Sequence, residues 1–298
     1  MSVEQLITGT FNKSFKKYFY DELVVGQLAH TEFKSGVKMG DEVDVQMPVL
    51  QKLFDYAGGD LPDAELVTSS ATKIRIDRGK AFHFEVDEIK KQQIENAPDM
   101  KQKVDLAKEY SSDGIKQFAA NVDQAYAGLY TRAGFYLDNS GAAITLTAQT
   151  AKDILAYMQA KFKRGDGIGH NSWVDGEMIA VVPPEYQFYL GKLEDLKYVE
   201  SGHKKMIKGY VGELCGWDII VSNNIAGVDN SGTMEYYPLF GIRGKTFAGG
   251  VSSDLNMKSY MPEKNFNTRY KGYGLYGVGA PRADLFGTVK IAAPLSLS

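Results

Sequence analysis

The chain has almost no cysteine and no long apolar run. Its 298 residues include one cysteine, Cys215, so an intramolecular disulfide framework is excluded and a reducing compartment is expected. No stretch approaches the roughly 18 apolar residues that a membrane span needs. The N-terminal MSVEQLITGT lacks a basic flank followed by an apolar run, so it is not a secretory signal. We therefore expect a soluble intracellular product with no membrane partner.

The chain also lacks a strong charge of either sign. A formal net charge of −3 excludes a wholly basic nucleic-acid-binding protein, but it allows a local basic patch. Lys13, Lys16 and Lys17 form such a set near the N-terminus, among Phe11 and Phe15 at helical spacing. Two interpretations of these lysines stay open, a solvated helix face and a contact with phosphate.

Recognisable catalytic and metal-binding patterns are missing as well. GDGIGH at 165–170 lacks the Gly-Lys-Ser/Thr of a phosphate-binding loop, and no G-x-S-x-G nucleophile motif occurs. Cys215 lies in an apolar context typical of a small core residue. We expect no catalytic, metal or cofactor site. None of the four histidines has a second ligand at a metal-binding spacing: His30, His83, His170 and His203.

Aromatic residues, in contrast, are abundant. The chain has 18 Tyr and 15 Phe but only 2 Trp. Tyrosine combines a large apolar body with a polar tip, which suits a surface that is wet in the free subunit and buried in an assembly. Plain sequence bias is the alternative explanation.

Two alternating segments predict strands around a long loop. Within 41–49, apolar residues occupy every second position: Val43, Val45, Met47 and Val49. Residues 72–86 alternate through Ile74, Ile76, Phe82, Phe84 and Val86. The connection between them is about twenty residues, which is unusual inside a compact domain unless the loop has a function. A loop that reaches over a neighbouring subunit would explain its length.

A long amphipathic helix is predicted over about 98–135. At 1.5 Å per residue, about 37 residues would span roughly 55 Å, so we call this segment the spine helix. A second helix is predicted at 147–163, then a strand and short helix at 178–193, a strand within 209–225, and a strand-rich end at 238–291. This mixture favours an α+β fold. The core face of the spine helix is predicted to contain Val104, Ile115, Phe118, Val122, Tyr126 and Leu129.

The order of several motifs resembles one known family. The chain carries K-A-F-H-F-E-V-D-E-I-K-K-Q-Q (80–93) before the spine helix, then V-V-P-P-E-Y (181–186), G-E-L-C-G-W-D-I-I-V-S-N-N (212–224) and F-N-T-R-Y-K-G-Y-G-L-Y-G-V-G-A-P-R-A-D (266–284). In this order they resemble the Hong Kong 97-like major capsid proteins of tailed bacteriophages, over nearly the whole chain.

The resemblance implies a domain organisation and a set of contact residues. It implies an N-terminal arm (1–40), an extended loop over the adjacent subunit (41–79), a peripheral domain (80–176 and 256–298) and an axial domain (177–255). The arm is expected to face the interior through Phe11, Lys13, Phe15, Lys16 and Lys17. The extended loop is expected to form a subunit interface through Lys52, Leu53, Phe54, Tyr56, Leu61 and Leu66.

The resemblance also implies the partners. A capsid protein is no enzyme and needs no cofactor; it forms hexamers and pentamers that enclose phage double-stranded DNA by non-specific contact. The product would be part of the virion, assembled in the host cytoplasm with a portal and, in some phages, a decoration protein. Only about forty residues precede the extended loop, so we expect a separate scaffolding protein. Lys52 has no identifiable cross-linking partner, so no cross-link is predicted.

Three other interpretations remain open from the sequence. Encapsulin nanocompartments share the implied fold and enclose enzymes instead of DNA, although the long aromatic arm favours a phage protein. An intracellular α+β enzyme would use the loop at 165–170 and nearby acids. A tail or decoration protein is a third alternative, which the long spine helix disfavours.

Overall fold

The structure is a computed structural model that describes most of the chain in ten segments. These are 23–34, 38–47, 70–87, 106–137, 141–164, 176–193, 210–230, 232–252, 258–262 and 267–294.

Helices and strands alternate irregularly along the described residues. The α-helices are α1 (Leu106–Ala127), α2 (Ala148–Arg164) and α3 (Pro184–Leu190), and 3-10 turns occur at Val25–Leu28, Gly128–Arg132 and Ala283–Leu285. The strands are β1 (Ala29–Lys34), β2 (Glu42–Met47), β3 (Ser70–Arg75), β4 (Arg78–Val86), β5 (Phe135–Leu137), β6 (Ile144–Thr145), β7 (Met178–Val182), β8 (Tyr210–Leu214), β9 (Trp217–Val221), β10 (Gly227–Asn230), β11 (Thr233–Tyr236), β12 (Leu239–Ile242), β13 (Phe247–Ser252), β14 (Lys258–Tyr260), β15 (Thr268–Gly279), β16 (Phe286–Val289) and β17 (Ile291–Ala292).

The strands form three sheets and one hairpin. The five-stranded sheet runs β1-β13-β15-β14, and β4 pairs with the other edge of β15. The six-stranded sheet runs β5-β16-β12-β7-β9-β8, and the four-stranded sheet runs β10-β11-β17-β6. Strands β2 and β3 pair only with each other, antiparallel, from Glu42 opposite Arg75 to Met47 opposite Ser70. Parallel and antiparallel pairs occur in the same sheets, which confirms the predicted α+β class.

The six-stranded sheet is buried on both faces. Along β7, Ile179 and Val181 contact the core around α1, whereas Ala180 and Val182 contact the core around α2 and α3. A strand covered on both faces needs apolar side chains at every position, which explains the uninterrupted MIAVV of β7. The sheet thus joins the two hydrophobic clusters into one continuous core.

Helix α1 packs closely on the five-stranded sheet because small residues face large ones. A Cβ atom on Gly274 would lie 2.6 Å from the ring of Phe118, so only glycine leaves room for that ring. On the helix side, a Cβ on Gly114 would lie 3.4 Å from the ring of Phe82. Phe118 also meets Tyr276 edge to face, with ring centroids 5.6 Å apart. Helix and sheet therefore interlock at two glycine–phenylalanine contacts.

Residues 23–34, which fall within the predicted N-terminal arm (1–40), are tied to α1. Leu23, Val24, Val25 and Leu28 are buried, and β1 pairs in parallel with β13. Burial of four apolar side chains stabilises this segment by several kcal/mol relative to exposure.

A buried carboxylate fixes the position of this segment. Asp123 of α1 is fully buried, and it accepts hydrogen bonds from the backbone N–H groups of Val24 (2.8 Å) and Gly26 (2.9 Å). The side-chain amide of Asn224, after β9, also donates to Asp123. One carboxylate thus joins the N-terminal segment, α1 and the turn after β9.

Two predicted boundaries differ from the structure. The single strand expected at 72–86 is divided, because β3 pairs with β2 whereas β4 pairs with β15. The spine helix was expected to continue to about 135, but α1 ends at Ala127 and a 3-10 turn follows to Arg132. At Gly134 a Cβ would collide with the carbonyl oxygen of Ala283, so the chain crosses another segment there and enters β5.

The prediction of one strand and a buried cysteine in 209–225 is also wrong. The segment forms a hairpin, β8 and β9, and Cys215 lies half-buried in its two-residue turn. Cys215 and Gly216 have φ angles of 51° and 70°, which is the left-handed pair of a type I′ turn. The predicted helix at 147–163 and the strand–helix unit at 178–193 are confirmed as α2 and as β7 with α3.

We predict that Gly274→Ala lowers the free energy of unfolding by about 1–3 kcal/mol, because the new methyl group overpacks the Phe118 ring. Gly128→Ala is the matched control, since no atom lies within 4 Å of its Cβ position. The control should leave stability unchanged or raise it by about 1 kcal/mol through helix propensity. Urea unfolding of both variants measures this; equal stability of the two would contradict the packing described.

Candidate assembly surface

The face of the five-stranded sheet that points away from α1 carries a concentrated set of polar and aromatic side chains. In the antiparallel pairing of β4, β15 and β14, residues directly opposite each other share one face. Glu85 thus lies beside Arg269, and Arg269 lies beside Tyr260. In the next row, His83, Lys271 and Lys258 lie side by side.

Strict alternation along β4 and β15 creates the two different faces. Even-numbered positions, such as Phe82 and Gly274, contact α1. Odd-numbered positions, such as His83, Lys271 and Tyr273, point to the other side and are exposed. We call this exposed side the outer face; it consists of the odd-numbered side chains of β4 and β15, with Lys258 and Tyr260 of β14.

An ion pair holds one end of the outer face. The Arg269 Nε donates to Glu85 Oε2 at 2.6 Å, and the Asn267 amide donates to Glu85 Oε1 at 2.5 Å. These two donors lower the pKa of Glu85 and keep it ionised. The reciprocal contact raises the pKa of Arg269. Since each side chain is about one-third exposed, water screens the pair and its contribution to stability is small.

A groove of about 560 Å³ opens at the centre of this face, along Ala81, His83, Lys258, Tyr260 and Tyr273. The Tyr260 ring lies parallel to the imidazole of His83, and its hydroxyl is 3.4 Å from His83 Nε2. The ammonium group of Lys271 is 5.1 Å from the centre of the same ring, within cation–π range. The groove therefore combines cations with aromatic rings, a combination that suits an acidic or aromatic partner.

The predicted contact residues of the extended loop and of the arm lie outside the described residues, as does Val104. Outside those residues, β2 and β3 bring Met47 and Ser70 opposite each other; the assignment of 41–79 as an extended loop stays a prediction. The other five predicted core-face residues of the spine helix are all buried on α1 and in the turn that follows it: Ile115, Phe118, Val122, Tyr126 and Leu129.

The sequence reasoning missed the groove and Asp123. The groove depends on strand register, which brings His83 beside Lys271 although they are far apart in the chain. The burial of Asp123 could have been recognised from the sequence. It lies four residues after Ala119 and three before Tyr126, on the apolar stripe of α1. An acid at such a position is expected to have a buried partner.

Neither metal ligands nor a membrane span was found in the part of the chain that the structure describes. No three His, Cys, Asp or Glu side chains there come close enough together to hold a metal ion. No helix there is long and apolar enough to cross a membrane.

Comparison with known proteins identifies the fold. No family model and no curated protein matches the sequence. Among solved structures, one from Mycobacterium phage Che8 matches with a TM-score of 0.62 at 20% identity, covering 90% of each chain. The capsid of cyanophage P-SCSP1u matches with 0.64 at 14% identity, covering 91% of this chain and 89% of that one. The capsid of Ralstonia phage GP4 matches with 0.63 at 13% identity, covering 93% and 91%.

The chain has the Hong Kong 97-like capsid fold. The similarity extends over nine-tenths of the chain. Within this Hong Kong 97-like fold the outer face belongs to the sheet that carries α1. The domain limits inferred from the sequence stay a prediction.

We predict that the stability contribution of Asp123 depends on pH. Burial raises the pKa of Asp123 from 3.8 to about 6, although its hydrogen bonds act in the opposite direction. Between these values the folded chain holds a proton that the unfolded chain has released. The contribution of Asp123 to the free energy of unfolding is therefore largest below pH 4 and is lost as the pH rises through 6.

Urea unfolding of the unassembled subunit tests this against Asp123→Asn, which cannot titrate. From pH 5 to pH 7.5 the wild type should lose about 1.4 kcal/mol relative to the variant, equivalent to one pKa unit. Asp113→Asn, on an exposed side of the same helix, is the matched control for net charge. If the difference in free energy of unfolding between wild type and Asp123→Asn stays constant with pH, the raised pKa of Asp123 is contradicted.

Proposed function

We propose that the chain is the major capsid protein of a tailed bacteriophage. In this proposal it assembles into hexamers and pentamers that form the icosahedral shell around double-stranded DNA. The single observation that carries the proposal is the match to phage capsid structures over nine-tenths of the chain. The subunit is a structural protein, not an enzyme, and it works without a cofactor.

The architecture supports a subunit that is built to assemble. Helix α1 and the six-stranded sheet form a continuous core, so the subunit is rigid where a shell needs a fixed shape. Several large apolar or aromatic side chains are nevertheless exposed, among them Tyr136, Val228, Met261 and Tyr273. Burial of such side chains against a neighbouring copy would stabilise the assembly. A shell sums many modest contacts of this kind, and multivalency makes the closed particle stable.

The domain roles follow within the proposal. Residues 41–79 form the extended loop over an adjacent subunit, and 1–40 form an arm that faces the interior. Residues 80–176 and 256–298 form the peripheral domain, with α1 as the described part of its spine helix. Residues 177–255 form the axial domain at the centre of each capsomer. A separate scaffolding protein and a portal are the partners, joined in some phages by a decoration protein. Assembly takes place in the host cytoplasm, and the mature protein is in the virion.

Deletion of residues 52–70 should abolish closed shells and leave the subunit folded. Most of this segment lies beyond the base of the β2–β3 hairpin, so the described core does not depend on it. Negative-stain electron microscopy and gradient sedimentation of wild type and deletion variant, with and without scaffold, measure particle formation. A thermal melt of the dilute subunit serves as the folding control. A wild type that stays a small oligomer under every condition would disprove the proposed function.

Replacing Lys13, Lys16 and Lys17 by Glu should reduce packaged DNA severalfold, because three interior cations would become anions. The same change at Lys80, Lys163 and Lys192, which are exposed in the described structure, is the matched control. The ratio of nucleic acid to protein in purified particles measures the effect. Normal packaging by the first variant would exclude a DNA-facing role for the arm, and an enclosed enzyme in place of DNA would favour an encapsulin-like shell.

A further inference from the structure

Residues 23–34 lie at the edge of the fold, and we call them the strap. The strap consists mainly of the 3-10 turn at Val25–Leu28 and of β1, and it contacts mainly α1 and β13. β1 is the end strand of the five-stranded sheet, and among the described strands it pairs only with β13. The contacts between α1 and β15, and the pairings of β15 with β4, β13 and β14, do not involve the strap. The strap can therefore separate while α1 and the rest of the sheet stay packed.

The strap supplies most of the hydrogen bonds to the buried carboxylate of Asp123. The backbone N–H groups of Val24 and Gly26 donate to its two oxygens, at 2.8 Å and 2.9 Å. The N–H of Val25 donates as well, and the fourth donor is the side-chain amide of Asn224. Three of the four donors thus belong to the strap, so separation of the strap would leave the carboxylate to water.

The cluster that encloses Asp123 is otherwise apolar. Val25 and Leu28 of the strap are fully buried in the same cluster as Val122 and Ile225. An ionised carboxylate in such surroundings loses hydration that its hydrogen bonds only partly replace. Burial therefore outweighs the four donors and raises the pKa of Asp123 to about 6.

The groups that act on the pKa of Asp123 are all uncharged, being the three N–H groups of the strap and the amide of Asn224. Of the ionisable side chains on the elements packed around it, His30 is exposed, and Asp218 lies near the start of β9, whereas Asn224 follows its end. None of these side chains is among the groups that shift the pKa. Protonation of Asp123 therefore depends on whether the strap covers it. The ionisable side chains on these elements are Lys116 and Tyr126 of α1, His30 of β1, Asp218 of β9 and Tyr276 of β15.

Opening of the strap is consequently coupled to proton release. In the open state Asp123 would be hydrated, and its pKa would return towards the usual 3.8. Between pH 4 and 6 the closed strap holds a proton that the open strap has released, so a rise in pH favours opening. From pH 5 to pH 7.5 the equilibrium constant for opening should rise about tenfold, which corresponds to one pKa unit. Because opening also exposes Leu23, Val24, Val25 and Leu28, the open state stays a minority.

We propose that the strap is a proton-controlled device, which opens from α1 and β13 as one unit when Asp123 is ionised, while the rest of the subunit stays folded. The opening is independent of the proposed function, and only its consequence for the arm rests on that function. Residues 1–22 precede the strap, so opening would add twelve residues to the free length of the arm. These residues extend about 40 Å at 3.3 Å per residue. Acid thus keeps the arm short, and a higher pH lengthens it.

Native-state hydrogen exchange of the unassembled wild-type subunit at pH 5 and pH 7.5 tests the proposal. After correction for the intrinsic exchange rate at each pH, the protected amides of the strap should share one opening constant, about tenfold larger at pH 7.5. Amides of β7 and β12 should exchange at least about tenfold more slowly than those of the strap at both pH values. If the strap exchanges as slowly as these core strands, it opens only by global unfolding, and the proposal is overturned. An opening constant that does not change with pH also overturns it.

Three variants identify the group responsible. Asp123→Asn cannot titrate, so its strap should open equally at both pH values; a retained tenfold rise would overturn the proposal. Leu28→Ala removes a fully buried side chain of the strap and leaves the carboxylate in place. It should increase opening about thirtyfold or more at both pH values and keep the tenfold rise.

Asp113→Asn, on an exposed side of α1, should behave as the wild type does. Equal acceleration of the strap and of β7 and β12 by Leu28→Ala would show that the strap is part of the global unfolding unit, and this would overturn the proposal. If Asp123→Asn does not fold, the wild type and Leu28→Ala still decide. Failure of the chain to form shells is a different result, which rejects the proposed function and leaves the strap intact, since exchange is measured on the unassembled subunit.

Discussion

The close packing of α1 on the five-stranded sheet is the constraint on which the rest of the structure depends. Phe118 fits above Gly274, and the ring of Phe82 lies against Gly114, so helix and sheet approach more closely than larger residues would allow. The contact fixes which side of β4 and β15 is covered. The other side, the outer face, is consequently free to carry charged and aromatic residues and to meet a partner.

In the proposed function, the unit of α1 and the five-stranded sheet also positions the segments that contact other copies. Asp123, on the same helix, ties the N-terminal segment to α1 through two backbone hydrogen bonds, so the chain enters β1 at a defined position. The base of the β2–β3 hairpin rests on the outer side of β15 at Gly277 and Gly279. Both segments that the proposal assigns to contacts with other copies therefore start from the helix–sheet unit, and its rigidity determines where they leave the subunit.

The sequence predicted those features that repeat locally. Periodicity identified α2 and the buried side of α1, because each apolar residue lies three or four positions from the next. Features that depend on distant partners were missed. The burial of Leu23, Val24, Val25 and Leu28 involves Asp123 and β13, about a hundred and more than two hundred residues away. The groove depends on the register of β4 against β15. The close backbone crossing of Gly134 and Ala283, beyond the end of α1, likewise joins residues far apart in the chain and leaves no signal in periodicity.

The central claim is that this helix–sheet unit is repeated by symmetry in a closed shell. Electron cryomicroscopy of particles purified after expression of the full chain, alone and with a candidate scaffolding protein, tests it most directly. The account predicts fivefold and sixfold arrays in which α1 and the five-stranded sheet keep the same packing in every copy. Conformational differences between copies at fivefold and sixfold positions should be confined to the segments that contact other copies. Particles built on another subunit arrangement, or a small closed oligomer with no fivefold and sixfold arrays, would contradict it.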